Sequence, residues 1–305
     1  MLPSGGPESN VFPSTDDTFF ASVNDVRVVK YAGSDTGFVN FSFASPLRTP
    51  QFCDGTTDPQ KGNICGRALG LAHDYTRKKL VIADAYQGLR EVGPEGGLAT
   101  LLSNSAGGRR YKWLDGLDVD QTTGKIYFTD ASATYNLSQS LQSISTGDAT
   151  GRFIEFDPNT GIARVLVSTG LQVPGGVGTS LDGSFVLYSE FGGNKITKYY
   201  LTGPKANTRE LLLNIPGPTN IKRLPSGNYW VAVNNRSSGT NVPTGVKIDK
   251  FGKILLTIPF VVPYSGATNF ITEVHEHRGK LYIASIYQLQ GVIYTLPDKL
   301  SEALD

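Results

Sequence analysis

One unit recurs along this chain: a polar turn, then a short β-rich run ending in small or acidic residues. Five copies read RKKLVIADAYQGL, TGKIYFTDASA, DGSFVLYSEFGGNKITKYYL, SGNYWVAVNNR and RGKLYIASIYQLQGVIYTL. Their strands begin near Leu80, Ile126, Phe185, Tyr229 and Leu281, so the steps are 46, 59, 44 and 52 residues. A degenerate sixth copy, DDTFFASVNDVRVVKY, precedes them. A period of about 45–50 residues with several short strands is that of propeller blades. One blade cannot bury both of its faces, whereas a closed ring of blades covers them and leaves few edges. The expected fold is all-β, a six-bladed β-propeller forming a single domain over residues 1–305. The 35 glycines and 17 prolines suit its many tight turns. Only NLSQSLQSIS suggests helical periodicity, as a short helix or lid.

Charge narrows the partners. Lys and Arg number 28 against 27 Asp and Glu, a net charge of +1. That balance argues against nucleic acid or an anionic membrane as a main partner. No apolar run reaches the roughly 18 residues of a membrane-spanning helix. The expected partner is a small-molecule substrate, the expected state a monomer, and no cofactor is expected. The start, MLPSGGPESNVF, lacks the basic and apolar stretches of a signal peptide. We read Met1, the lone methionine, as preceding a trimmed, mature form; a cytosolic protein reads the same way.

Cys53 and Cys65 flank a run of turn formers, FCDGTTDPQKGNIC, a loop that can close a disulfide or leave two free thiols. Asn40, Asn136 and Asn235 head N-x-S/T glycosylation sequons. Together these features tilt the reading toward the secretory pathway.

Motifs that carry chemistry are sparse. There is no G-x-S-x-G elbow, no phosphate-binding glycine loop and no H-E-x-x-H. Two cysteines cannot build a four-cysteine zinc site. His275 and His277 in HEH lack a third ligand and precede a turn, and His73 reads as structural or exposed. Asp84, Asp115, Asp118, Asp130 and Glu190 lie near strand ends and are calcium candidates, but turn chemistry explains such residues more simply.

In combination and order, CDGTTDPQKGNICGRALGL, IADAYQGL, KWLDGLDVDQTTGKIYFTDAS, TGRFIEFDPNTG, VPGGVGTSLDGSFVLYSEF, KITKYYLTGP, IPGPTNIKRLPSGNYWV and EVHEHRGKLYIAS resemble the plant strictosidine synthase-like family over nearly the whole chain. The resemblance implies a six-bladed propeller routed through the secretory pathway, to the vacuole or outside the cell. It also implies that Cys53 and Cys65 are bonded. One side of the family resembles calcium-dependent lactonases and esterases, reading PNG and PDNI where this chain reads PGG, with Gly175, and PTNI, with Thr219. Two oxygen ligands are therefore missing, and a hard cation wants six or more. PGG and NIKR resemble the alkaloid-forming synthases instead.

Those synthases join an arylethylamine to an aldehyde through an iminium, and a buried glutamate takes the final ring proton. The glutamate closes a His-Phe-Glu run that aligns here with Phe270-Ile271-Thr272, so Thr272 stands at its position. By strand alternation Phe270 and Val274 share the face of Thr272, and Glu273 and His275 point away, unless a one-residue bulge reverses this. Trp113, Val173 and Phe191 match pocket positions, and Asp115 stands where the synthases have tyrosine. A desolvated Asp115 is a candidate acid or base. Three functions compete: a synthase-like enzyme that is not an efficient strictosidine synthase, a non-catalytic small-molecule binder, and a metal-dependent lactonase or esterase.

Overall fold

The computed structural model of the chain describes residues 6–14, 17–235, 241–260, 270–287 and 291–296. Its six large sheets are the blades of a β-propeller around a central channel. The inner strands beside the channel are Pro7–Val11, Ala68–Asp74, Leu114–Val119, Pro174–Thr179, Pro218–Arg223 and Glu273–His277, for blades 1 to 6. The repeat in the sequence is the second strand of each blade, from Phe19–Val23 in blade 1 to Lys280–Ala284 in blade 6. The long step after Ile126 has a local cause. A helical insertion, Leu137–Gln139 and Ser140–Ser145, separates the second and third strands of blade 3.

Buried strands read as continuous runs and outer strands do not. Phe185–Glu190 is buried at every position, whereas Arg209–Asn214 at the edge of the same blade is partly exposed. Both faces of a middle strand pack against neighbouring blades, so no polar face is needed. Among the described residues, apolar clusters fill all six seams between consecutive blades.

Two backbone features shape the channel. First, glycine lets adjacent inner strands touch main chain to main chain. A Cβ on Gly70 would lie 2.4 Å from the Asp115 carbonyl oxygen, one on Gly116 2.3 Å from that of Gly175, and one on Gly176 2.4 Å from the Ile221 nitrogen. Any side chain at these positions would force the strands apart. Second, the inner strands of blades 1 to 5 are bulged near their starts. In blade 3, for example, Leu114 pairs with Asp130 but Leu117 with Phe128. Blade 6 is irregular just ahead of its strand. The Thr272 N–H donates to the Ala284 carbonyl at 2.8 Å, although Glu273 is the residue paired with Ala284. Bulges re-aim side chains, and here they turn the first residues of each inner strand into the channel.

The seam between blades 6 and 1 closes the ring through polar groups. Glu273, fully buried, accepts from Ser9 Oγ at 2.7 Å and from the Asn10 N–H at 2.6 Å. Its Oε2 also lies 3.1 Å from Lys222 Nζ of blade 5. The Lys222 ammonium donates in turn to Ser9 Oγ and the Leu71 carbonyl. Desolvation raises the pKa of Glu273, while the lysine and the other donors oppose that rise.

Cys53 and Cys65 are joined in a disulfide, buried against Val26. Their separation of 12 residues closes a short loop. Replacing both cysteines by serine is expected to cost about 2–3 kcal/mol, mainly by freeing the unfolded chain. A lowered urea midpoint at unchanged slope is the measurement. Asn40 is exposed and Asn136 half-buried, while residues 236 and 237 of the third sequon lie outside the described residues.

Candidate active site

One cavity opens at the upper end of the channel, and the bulged residues form its floor: Glu8, Leu69, Asp115, Gly175, Thr219, Asn220 and Thr272. Trp113, Val173, Phe191 and Phe270 stand around it, with Ile286 and Tyr287. Phe191, Phe270 and Tyr287 make a run of rings with centroids 5.9 and 5.6 Å apart. The helical insertion overhangs the mouth with Leu137, Ser140, Leu141 and Ile144. Leu141 is 78% exposed, an apolar side chain held beside an open pocket. Thus the residues aligned from sequence, scattered from 113 to 272, meet in one place.

One strained residue and one unmet donor line this cavity. Val173 has φ near 49°, a left-handed conformation that costs a β-branched residue free energy and persists only where the surroundings impose it. Among the described residues the buried Trp113 indole N–H has no partner.

Of the five acidic candidates, four are explained by their donors. Asp84 accepts from the N–H groups of Arg67, Tyr86 and Gln87. Asp130 accepts from the Trp113 N–H and pairs with Arg152, and Glu190 accepts from the Gln172 N–H. Asp118 ties blade 3 to the Thr179 N–H and hydroxyl of blade 4. These are caps and staples. Asp115 differs, because its side chain makes no hydrogen bond among the described residues and it lines the cavity. Burial pushes its carboxyl up to about 7, since the low-dielectric surroundings disfavour the charged form.

Glu8 escaped the sequence reading altogether. It is 7% exposed and lies on the same floor. Burial raises its pKa well above the usual range, and the charges of Asp115 and Glu273 raise it further, while Thr272 and Asn220 oppose the rise. A signal for it exists. Three inner strands open with proline followed by a floor residue: Pro7-Glu8, Pro174-Gly175 and Pro218-Thr219.

Simple alternation from Thr272 fails. Val274 packs in the core between blades 5 and 6, not in the pocket. Glu273 faces the channel one level below Thr272, reaching Lys222 and Ser9. The irregular pairing ahead of blade 6 is the reason, since it lets neighbours share a direction. The histidines of HEH serve the seam: His275 and His277 both pack on Phe12, with centroids 5.0 and 3.9 Å away. The His275 Nδ1 lies 3.0 Å from the Asn10 carbonyl, which can only accept, so that nitrogen carries the hydrogen. Burial, aided by Lys222, pulls its pKa down to about 3 and keeps the ring neutral. His73 is half-buried and contacts Tyr75.

The residues present do not suit the calcium of the lactonase-like branch. Gly175 brings no side-chain oxygen. The Thr219 hydroxyl lies 3.2 and 3.3 Å from the carbonyls of Ala232 and Ile271 and donates to them. Among the described residues no three His, Cys, Asp or Glu side chains converge to hold a metal.

A roomier cleft, about 460 Å³, lies at the seam of blades 6 and 1 and is lined by Phe19, Tyr31, Phe38 and Tyr282. It contains no buried carboxyl and is not the candidate site.

Comparison with known proteins places this geometry. Residues 115–204 match the strictosidine synthase family model. The chain is 43% identical to strictosidine synthase from Catharanthus roseus over 291 residues, covering 93% of this chain and 82% of that protein. It is 40% identical to STRICTOSIDINE SYNTHASE-LIKE 12 of Arabidopsis thaliana, covering 92% and 84%. Among solved structures, a gluconolactonase from Xanthomonas campestris superposes with TM-score 0.69 at 18% identity, covering 96% of this chain and 87% of that one. The calcium-binding protein regucalcin from Agrobacterium tumefaciens gives 0.64 at 12%, covering 99% and 87%. At such identities the likeness is one of fold. The sequence relatives go further: the chain belongs to the strictosidine synthase-like family.

Proposed function

We propose that this protein is an enzyme of plant specialised metabolism that condenses a small amine with an aldehyde in the upper cavity of the propeller, by Pictet–Spengler-type chemistry or a diverged form of it. The observation that carries the reading is Asp115, a carboxyl with no hydrogen-bond partner among the described residues, on the floor of an aromatic-walled pocket. An amine arrives as a cation, and the ionised carboxylate is its natural counter-charge in a site of low dielectric. Phe191, Phe270 and Trp113 offer ring faces to an arylethyl group. Thr272, at the position of the family glutamate, has a hydroxyl that cannot accept a ring proton near neutral pH. Its Oγ1 instead donates to the Glu8 carbonyl at 2.8 Å. We therefore infer that strictosidine itself is formed slowly at most. The disulfide and the sequons support a protein of the secretory pathway, vacuolar or extracellular, glycosylated at Asn40, Asn136 or Asn235; we take it to act as a monomer of one domain.

The test is direct. The purified protein, in excess chelator, is incubated with tryptamine and a panel of aldehydes, and products are sought at the summed mass less one water. Product supports the reading. Its absence in all mixtures, together with no binding of tryptamine, rejects it. Ester or lactone hydrolysis that returns only with added calcium favours the hydrolase reading instead.

A further inference from the structure

Asp115 is not the only carboxyl on the pocket floor. Glu8 reaches it from blade 1, where the bulge between Pro7 and Ser9 turns the side chain into the channel. Asp115 reaches it from blade 3 through the corresponding bulge. The two strands belong to non-adjacent blades, so neither residue's place dictates the other's. Glu8 is fixed on three sides. Its main-chain carbonyl accepts from Thr272 Oγ1 at 2.8 Å and from Asn220 Nδ2 at 3.3 Å. Its strand is pinned one residue later, where Ser9 Oγ bonds Glu273. The main chain that carries the Glu8 carboxyl is thus fixed at the cavity wall, and a carboxyl on a fixed backbone is suited to repeated proton transfer.

We propose that Glu8 is the second catalytic residue of this pocket: a carboxyl that, with Asp115 on the same floor, donates the proton by which a carbinolamine loses water and recovers the ring proton released on cyclisation. The proposal rests on the amine–aldehyde reading of the site.

The division of labour follows from the surroundings. The charged groups that act most strongly on Glu8 favour its neutral form: Asp115 across the cavity, and Glu273 below it, whose partner is Lys222. Burial raises both carboxyls, and the charge of Asp115 raises Glu8 further, so the pair resists double ionisation. In the proposed cycle the pair starts with one proton and one negative charge, the proton on Glu8.

The cycle balances. The substrate ammonium gives a proton to Asp115, and the freed amine adds to the aldehyde carbonyl, forming the C–N bond as the C=O π bond opens onto oxygen, which takes the proton the nitrogen then releases and becomes the carbinolamine hydroxyl. Glu8 protonates the resulting hydroxyl, which leaves as water, and the C=N bond of the iminium forms. The aryl carbon attacks the iminium carbon, making the new C–C bond. The ring C–H bond breaks, its electron pair restores the aromatic system, and its proton returns to Glu8. Asp115 gives its proton to the product secondary amine. One water is released and both carboxyls regain their starting forms, with no redox step and no co-reactant.

A measurement that needs no substrate tests the proton's location. Protein labelled with [13Cδ]-glutamate is titrated by NMR, with the Glu8 signal identified by its loss in Glu8→Gln. The expected result is a Glu8 carboxyl still protonated at pH 7, titrating at lower pH in Asp115→Asn. A Glu8 carboxyl already ionised at pH 7, or one indifferent to Asp115→Asn, overturns the proposal. Activity supplies the second arm. Glu8→Gln is expected to bind tryptamine within a few-fold of wild type while its condensation with the best aldehyde falls on the order of a hundred- to ten-thousand-fold. Turnover within three-fold of wild type in Glu8→Gln, combined with loss in Asp115→Asn, removes Glu8 from the mechanism and leaves the reading of Asp115 standing. Loss of tryptamine binding by the wild type removes both. Stoichiometric calcium in purified protein, lost in Glu8→Gln, also overturns the proposal, because the carboxyl then serves as a metal ligand.

Discussion

Asp115→Asn is expected to abolish turnover while leaving the fold intact, and at alkaline pH to make the protein more stable. The loss of rate follows from removing the charged member of the carboxyl pair, on the order of a hundred- to ten-thousand-fold. The gain in stability follows from linkage. The Asp115 carboxyl titrates at about 7 in the folded protein, against roughly 3.9 in an unfolded chain. Between those values the folded state binds the proton more tightly, so stability falls as pH rises through the window. Above pH 7 the whole penalty of a buried charge is present, and asparagine, which never ionises, does not incur it. Melting curves of wild type and variant should coincide near pH 4 and separate by pH 8, with the variant higher. A variant that is less stable at pH 8 would show that Asp115 holds the fold and not the chemistry.

The second large effect concerns the ring. Lys222→Met is expected to lower stability by about 3–5 kcal/mol, the usual cost of stranding one member of a buried ion pair. Lys222 Nζ touches Glu273 at 3.1 Å, Ser9 Oγ at 3.2 Å and the Leu71 carbonyl at 3.0 Å, so one ammonium joins blades 5, 6, 1 and 2. Without it Glu273 keeps the Ser9 and Asn10 donors but loses its counter-charge. Adding Glu273→Gln to Lys222→Met should recover part of the loss, and a double-mutant cycle measures how much. Equal urea midpoints for wild type and Lys222→Met would show that the pair contributes nothing net. Because the same ammonium steadies the strand that carries Glu8, the single variant should also lose activity.

These two residues show what was legible in the sequence. The blade repeat could be read because second strands bury both faces and end in the same small or acidic residues, for a stated packing reason. Trp113, Asp115, Val173, Phe191, Phe270 and Thr272 were reached by resemblance, and they converge on one cavity. The direction of Glu273 was not legible. Alternation with period two assumes an unbroken ladder, and the inner strands are interrupted near the residues that face the pocket. A bulge is a property of pairing between strands, and one strand read alone does not reveal it. Glu8 was missed for another reason: it precedes the degenerate first copy of the repeat, where only the Pro-X opening shared with Pro174 and Pro218 marks an inner strand. HEH, set aside as a metal site for want of a third ligand, is packing in the blade 6–1 seam; that role was not legible, because the Phe12 ring that both histidines touch lies more than 260 positions away in sequence.

The backbone contacts at Gly70, Gly116 and Gly176 have a consequence for how such a protein can change. With four neighbouring inner strands locked at van der Waals distance, the depth and diameter of the cup's floor are fixed by main chain, and no substitution there can widen it without separating blades. New substrates must therefore be accommodated from above. The positions free to vary are those of the brim: Leu137, Leu141 and Ile144 on the helical overhang, and Phe270, Ile286 and Tyr287 opposite. A descendant with a different amine would keep the glycines and the carboxyls and rewrite the overhang, so diversity among relatives should be densest at the brim and thinnest at the waist.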